Sequence, residues 1–193
     1  MGTIIPRWEW RTFGNDFKGA DEKIMALNPS VKKSSEKYIL SRNSNENCKI
    51  RDDLMDIKSP VNVNEDKLEQ WYPTMKLAFP LSKEQIIDLF TNYFKVAVPE
   101  LAESYDYAAF VELCGQQKDL CVVNVEKVRY ITNIDETIVE VAETKFNGVP
   151  NRTVCVEHID PENVMKTVRE LQLEGLPNIN YIHAMKRAVG MED

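Results

Sequence analysis

Charged side chains alternate with apolar ones in several short runs of this chain. Within residues 48–58, CKIRDDLMDIK, Lys49 and Arg51 lie two residues apart, and so do Asp56 and Lys58. Alternation is typical of a half-buried strand, so each pair is expected on one face of its strand. The same spacing recurs in Arg7-x-Glu9-x-Arg11, in Lys127-x-Arg129 and in Glu136-x-x-x-Glu140. Arginine and lysine match phosphate oxygens, and carboxylates suit Mg²⁺ or Mn²⁺, which prefer oxygen ligands.

Strands with one charged face are compatible with two architectures. In a sandwich, the charged faces point to water. In a closed barrel they point inwards, where unpaired charge is costly and needs a compensating ligand. An anion resembling a triphosphate, together with a divalent cation, would supply that compensation. A barrel that carries a small apolar ligand is a third interpretation, and the interior charge counts against it.

The composition limits the class of protein. A chain of 193 residues with 43% hydrophobic and 28% charged residues fits a single domain over residues 1–193 with a substantial core. Its net charge of −7 argues against nucleic acid as the main partner. The 4 cysteines lack metal-site spacing, and Cys48, Cys121 and Cys155 are expected to be small buried thiols, which suits a reducing compartment. No apolar segment reads as a signal peptide or a membrane span, so we expect a cytoplasmic protein that needs no membrane.

The order of predicted elements favours an α+β fold with antiparallel hairpins. Asn147-Gly148 is a strong hairpin signal, Ser82 and Gln85 form a capping-box pair, and Asp160-Pro161 begins a helix. Residues 60–66 are expected to form a polar loop, and Pro73 indicates that the preceding strand lies at an edge. The predicted strands cover residues 4–13, 38–42, 48–51, 54–58, 68–72, 120–131, 137–146 and 153–157. The predicted helices cover residues 16–27, 81–94, 104–114 and 178–189, with a further one from residue 161.

The order of these motifs resembles the CYTH superfamily, the triphosphate tunnel metalloenzymes. That group includes adenylyl cyclases, thiamine triphosphatases and other triphosphatases, and its fold is a tunnel of about eight antiparallel strands with charged inward faces. Its E-x-E-x-K motif is similar to Arg7-x-Glu9-x-Arg11, and its R-x-R and L-T-x-K motifs are similar to residues 49–51 and 55–58. A basic pair resembles Lys127-x-Arg129, a late acidic strand resembles residues 154–157, and a closing tyrosine helix resembles residues 181–185.

The resemblance implies a closed antiparallel β-barrel with flanking helices, and it assigns roles to residues. The implied phosphate ligands are basic: Arg7, Arg11, Lys49, Arg51, Lys58, Lys127 and Arg129. The implied ligands of Mg²⁺ or Mn²⁺ are Glu9, Glu140 and Glu157, and the catalytic residues are Glu9, Glu157 and Lys58. The chain departs from the motifs at Arg7, which replaces a glutamate, at Asp56, which replaces a threonine, and at Cys155, where a second glutamate is common.

These assignments predict metal-dependent hydrolysis of a triphosphate or polyphosphate, with a small phosphorylated anion as the partner. A phosphoanion-binding sensor domain without turnover is the alternative from another class, favoured by Arg7. Adenylyl cyclase activity would use the same metal site, but no residue pattern indicates recognition of a purine base. A homodimer is left open.

Overall fold

The computed structural model describes residues 5–192. Ten strands are present in this part of the chain: β1 Trp8–Phe13, β2 Ser30–Ser41, β3 Asn47–Arg51, β4 Leu54–Val63, β5 Glu69–Ala78, β6 Leu81–Ser82, β7 Ser104–Tyr105, β8 Leu120–Ile134, β9 Thr137–Phe146 and β10 Val149–His158. The helices are α1 Ala20–Met25, α2 Lys83–Asp88, α3 Tyr107–Gly115, α4 Pro161–Glu170 and α5 Tyr181–Ala188. A π-helical segment, Leu89–Phe94, continues α2.

Eight of the strands form one antiparallel sheet that closes on itself. Their order around the ring is β1-β10-β9-β8-β2-β3-β4-β5, and β5 pairs again with β1. In this register Glu9 lies opposite Glu157, and Lys49 lies opposite Asp56. The predicted α+β fold with a closed antiparallel barrel is therefore confirmed.

Two of the three apolar clusters of this barrel lie on its outside, beneath the helices. One cluster packs Ile50, Met55 and Ile57 against Phe90 and Phe110, which come from the π-helical segment and α3. A second cluster packs Trp10, Val139, Val141, Val154 and Val156 against α1 and α4. Since side chains alternate along a strand, the intervening charged residues point into the ring. We call this charged inner face the interior surface.

Helix α5 covers one end of the ring. Asn180 caps it by accepting a hydrogen bond from the backbone N–H of His183, at 2.9 Å. Its Tyr181, Ile182 and Met185 belong to a third cluster with residues of β2, β8 and β9, which are Tyr38, Leu40, Val123, Val125 and Phe146. The interior is consequently apolar beside α5 and charged beyond it.

Several local predictions are confirmed. The capping box of Ser82 and Gln85 is present, and Asp160 caps α4 with Pro161 in its first turn. The hairpin at Asn147-Gly148 joins β9 to β10, with Phe146 opposite Val149. The outer helices α2 and α3 pack against the outside of the barrel.

Other boundaries are wrong, and each error has a structural reason. Strand β2 begins at Ser30 because it pairs with β8 over twelve residues, through polar positions that have no alternation of apolar side chains. Strand β4 continues to Val63, through the predicted polar loop. Strand β5 is not an edge strand, because it pairs with both β4 and β1. Pro73 is tolerated because it lies at a register shift, opposite Lys58.

Two further predictions need correction. Residues 104 and 105 form strand β7, so the helix predicted from residue 104 begins at Tyr107. Glu136 lies in the turn between β8 and β9 rather than on a strand face with Glu140. The start of the strand predicted over residues 4–13 lies partly outside the described residues, and the described part begins at Trp8.

Candidate functional site

Two glutamates and a cysteine converge on the interior surface of β1 and β10. One ligand atom each from Glu9, Cys155 and Glu157 lies within 4.8 Å of the others, and we call these residues the Glu–Cys–Glu cluster. Glu9 and Glu157 are directly opposite in the ladder, and Cys155 is two residues before Glu157 on the same face. Burial and the neighbouring carboxylate of Glu9 raise the pKa of Glu157. A cation between the two carboxylates would relieve this repulsion.

Arg11 links the cluster to the centre of the barrel. Its Nε donates to Glu9 Oε1 at 2.8 Å, and its Nη1 donates to Glu140 Oε1 at 3.3 Å. Glu140 also accepts from Arg129 Nε at 2.7 Å. Burial alone would raise the pKa of Glu140, but the charges of Arg11 and Arg129 outweigh it and lower that pKa. Glu140 therefore forms ion pairs with two arginines and lies outside the Glu–Cys–Glu cluster.

A second buried ion pair joins β8 to β2. Lys127 Nζ lies 2.9 Å from Glu36 Oε2 and donates to Tyr38 Oη at 2.8 Å. Burial would raise the pKa of Glu36, but Lys127 and Lys49 bring it to about 2. Burial lowers the pKa of Lys127 to about 8, against the opposing attraction of Glu36. Both groups carry charge at neutral pH.

The aromatic ring of Tyr181 contacts two of the interior cations. Arg11 Cζ lies 4.5 Å from the ring centroid and Lys127 Nζ lies 4.1 Å from it. Arg11 and Lys127 come from β1 and β8, which are not neighbouring strands of the barrel. Both side chains must therefore point into the barrel interior to reach Tyr181. A cation is attracted to an aromatic face, so Tyr181 holds both without adding charge.

Three further predicted basic residues, Lys49, Arg51 and Lys58, line two smaller cavities. A cavity of about 150 Å³ is lined by Lys49, Arg51, Asp52, Leu54, Asp56 and Lys76. Lys49 Nζ is 3.8 Å from Asp56 Oδ2, and Arg51 Nη1 is 3.5 Å from Glu36 Oε1. Lys58 lies with Glu9, Asn47 and Tyr181 around a smaller cavity of about 60 Å³. The salt bridges of the described residues include none to Lys58, so its charge is available to a ligand.

Arg7 lies beside the Glu–Cys–Glu cluster, where the E-x-E-x-K motif has a glutamate. Its Nη1 is 4.0 Å from Glu157 Oε2, and its side chain is 54% exposed. A half-exposed arginine at this distance contributes little stability, but its charge lies next to the carboxylates. Arg7 is therefore a partly exposed cation at the edge of the cluster.

The structure brings most of the predicted site residues to one interior surface, and it adds four that were not predicted. Glu36, Tyr38, Cys155 and Tyr181 contact the predicted residues directly. Tyr38 lies on the predicted strand over residues 38–42, but Glu36 precedes that strand, where no alternation of apolar side chains indicates one. A cavity of about 700 Å³ lies over β2, β8, β9 and β10 and is lined by Lys127, but by none of the Glu–Cys–Glu cluster. We place the site at the cluster because cavity size alone indicates no chemistry.

Two solved structures are similar to the chain over most of its length. A candidate adenylate cyclase from Bacillus halodurans superposes with a TM-score of 0.50 at 12% identity, covering 91% of this chain and 95% of that one. A candidate adenylyl cyclase from Hippeastrum, described as having a dominant triphosphatase activity, gives a TM-score of 0.49 at 11% identity, covering 94% and 96%. No family profile and no curated protein sequence matches the chain.

The first of these structures and the closed ring of strands define the fold. The chain shares the fold of that structure and closes its strands into an antiparallel barrel with flanking helices, which is the fold that the motif resemblance predicted. Within residues 5–192, no helix has the length and apolar character needed to cross a membrane.

The Glu–Cys–Glu cluster fits a divalent cation in its donor set. Two carboxylates and a thiol can supply three ligands, and a fourth position would remain open to water or a substrate oxygen. Glu9 and Glu157 are the predicted metal ligands that the structure brings together. Glu140, the third, is held by Arg11 and Arg129 instead.

Proposed function

We propose that this protein binds a triphosphate or polyphosphate inside the barrel and hydrolyses it with the help of a divalent cation, Mg²⁺ or Mn²⁺. The observation that carries the proposal is the pairing of Glu9 with Glu157 on an interior surface that also presents Arg11, Lys58 and Arg129. Two carboxylates beside several cations provide both a metal site and an anion site. Anion and metal can then neutralise the charge that the protein leaves unpaired.

The interior cations divide into two groups by their partners. Arg11 and Lys127 are buried and held by Glu9, Glu140 and Glu36. These ion pairs would fix the geometry of the site and supply positive potential. Arg51, with 46% of its side chain exposed, and Arg129, with 34%, can turn towards a ligand while keeping one carboxylate contact. Lys49 and Lys58 complete the predicted phosphate contacts.

The catalytic residues would be Glu9, Glu157 and Lys58. A bound divalent cation would polarise a phosphoryl oxygen and lower the pKa of a bound water. Glu9 and Glu157 would hold it, and Lys58 would contact the negative charge that spreads over the phosphate oxygens. Lys58 suits this role because it lines the 60 Å³ cavity together with Glu9 and forms no salt bridge among the described residues.

A sensor domain without turnover is the second candidate function, and Arg7 favours it. Its guanidinium lies 4.0 Å from Glu157 and could neutralise part of the cluster without metal. The interior would then bind a phosphorylated anion through its cations alone. Cyclase activity, which the name of the Bacillus halodurans protein suggests for that protein, ranks lower because no residue pattern in the sequence indicates recognition of a purine base.

An assay of phosphate release distinguishes the hydrolase, the sensor domain and the cyclase. The purified protein is given tripolyphosphate, longer polyphosphate and nucleoside triphosphates, each with Mg²⁺, with Mn²⁺ or with a chelator. We expect release that requires metal and disappears with chelator. Binding of these anions without release would favour the sensor, and cyclic nucleotide as the main product would favour the cyclase.

Thermal stabilisation tests the anion site independently of turnover. Tripolyphosphate should raise the Tm, because a ligand of the folded state stabilises it by mass action. Arg51→Ala and Lys58→Met should each reduce that shift by at least half. Lys145→Met removes an exposed lysine that pairs with Glu126 and should leave the shift intact. Unchanged Tm shifts in the Arg51 and Lys58 variants would show that the anion does not bind to the interior surface.

A further inference from the structure

We infer that the thiolate of Cys155 is a metal ligand, so that the Glu–Cys–Glu cluster selects a borderline-soft cation such as Zn²⁺ over Mg²⁺. This inference rests on the proposed function, because it assumes that Glu9 and Glu157 hold a divalent cation. It changes the expected metal from a hard ion, which all-oxygen sites favour, to one that accepts sulfur.

The position of Cys155 differs from that of the other buried cysteines. Cys48 and Cys114 belong to the apolar cluster outside the barrel, under α2 and α3. Cys155 points to the interior surface, with its Sγ 3.5 Å from Glu157 Oε1, and it is only 1% exposed. None of the three apolar clusters of the described chain includes it. Apolar packing therefore does not explain a cysteine here.

The spacing of the three donors suits a tetrahedral site. Metal–oxygen and metal–sulfur bonds of about 2.0 and 2.3 Å place neighbouring ligands about 3.5 Å apart. The distance from Cys155 Sγ to Glu157 Oε1 is already 3.5 Å, and all three donors lie within 4.8 Å of one another. A side-chain adjustment of about 1 Å would close the set. Binding through sulfur would release the thiol proton to solvent.

Three protein donors leave the fourth position free. This arrangement is typical of catalytic rather than structural zinc sites, whose open position takes water or substrate. Mg²⁺ demands near-octahedral geometry with oxygen ligands and keeps several waters, which a thiolate on one side of the cluster opposes. The donor set and its open position together indicate Zn²⁺ or a similar ion, with a phosphoryl oxygen as the fourth ligand.

Co²⁺ is the probe that tests this inference, because a thiolate bonded to Co²⁺ gives an intense near-ultraviolet charge-transfer band. The metal-free protein is titrated with Co²⁺ and followed by absorbance and calorimetry, without substrate. We expect the band in the wild type, its loss in Cys155→Ser, and its retention in Cys121→Ser, which changes a partly exposed cysteine of β8. Cys155→Ser should also weaken Zn²⁺ binding at least tenfold and leave Mg²⁺ binding within twofold.

The outcomes separate this inference from the proposed function. Co²⁺ binding without the band, or a band that survives in Cys155→Ser, overturns the sulfur ligand and leaves the two carboxylates as the metal site. Absence of Co²⁺, Zn²⁺ and Mg²⁺ binding overturns both the inference and the metal dependence. Cys155→Asp, which replaces sulfur with oxygen, should shift the preference towards Mg²⁺, and a wild type that binds Mg²⁺ more tightly than Zn²⁺ contradicts the inference.

Discussion

Lys127 and Glu36 form an ion pair in the interior of the barrel, with Nζ 2.9 Å from Oε2 and both side chains less than a tenth exposed. The pair joins β8 to β2, and Tyr38 accepts a further hydrogen bond from Lys127. Arg51 also approaches Glu36, at 3.5 Å. Glu36 thus stabilises two interior cations, Lys127, which supplies positive potential, and Arg51, which the proposed function assigns to phosphate binding.

Removing the charge of Glu36 should destabilise the protein. Glu36→Gln leaves Lys127 as a buried cation without a carboxylate, which costs about 3–5 kcal/mol. Glu126→Gln, which breaks the exposed pair with Lys145, serves as the control and should cost less than about 0.5 kcal/mol. Urea unfolding of the three proteins measures the difference. Equal stability of Glu36→Gln and the wild type would show that the buried pair is not needed for the fold.

Anion binding should weaken as the pH rises above about 8. Burial lowers the pKa of Lys127 to about 8, so the folded protein loses this positive charge above that pH. The unfolded lysine keeps its proton to about pH 10.4, so unfolded chains bind more protons between these values. The same group therefore makes the free energy of unfolding increase with pH in this window while the affinity for anions falls.

Calorimetric titration with tripolyphosphate between pH 7 and pH 10 measures this loss of affinity. The dissociation constant should rise by up to about tenfold per pH unit above pH 8, the most that one proton allows. Lys127→Arg keeps its charge throughout this range and should give a nearly flat profile. Identical profiles for the two proteins would exclude Lys127 as the titrating group.

Arg7 should compete with metal for the carboxylates of the Glu–Cys–Glu cluster. Its guanidinium lies 4.0 Å from Glu157, so Arg7→Gln removes a repulsive charge next to the metal ligands. We expect divalent cations to bind about 3- to 10-fold more tightly, the scale of about 1 kcal/mol for one partly screened charge. Arg169→Gln removes the same charge from an exposed position of α4 and should have no effect. Weaker metal binding in Arg7→Gln would assign Arg7 a supporting role instead.

The two glutamates of the cluster should respond differently to substitution by glutamine. Glu157→Gln should reduce metal-dependent phosphate release at least about 100-fold, because metal binding and charge stabilisation are both lost. Anion binding without metal should persist or strengthen, since one repulsive carboxylate is gone. Glu143→Gln, an exposed position of β9, is the matched control. Full activity in Glu157→Gln would show that Glu157 of β10 is not a metal ligand.

Glu9→Gln should also cost stability, because Glu9 accepts from the buried Arg11 at 2.8 Å. Loss of this charged hydrogen bond costs about 1–3 kcal/mol. Thermal unfolding compared between the two variants separates a salt-bridge role from a metal-ligand role. A Glu9→Gln protein that is stable and still needs metal would show that Arg11 is held by Glu140 alone.

The sequence by itself determined the strands that carry charge, most of the helices and the class of fold. Alternation of charged and apolar side chains is a local property, and so are the turn at Asn147-Gly148 and the caps at Ser82 and Asp160. The order of the motifs then indicated a tunnel, and the closed ring confirms it. These features could be predicted because neighbouring residues specify them.

Only the tertiary structure decided which charges meet. Glu9 faces Glu157 because the ring closes between β1 and β10, which lie at opposite ends of the chain. The same closure brings Arg11 within hydrogen-bond distance of Glu140. It also places Cys155 beside the carboxylates of Glu9 and Glu157 rather than in an apolar core. Glu36 could not be predicted as an interior residue, because no local sequence pattern indicates that β2 extends back to Ser30. That extension is formed by pairing with β8. A register shift of one residue would reverse every inward side chain of a strand, so these contacts depend on the whole barrel.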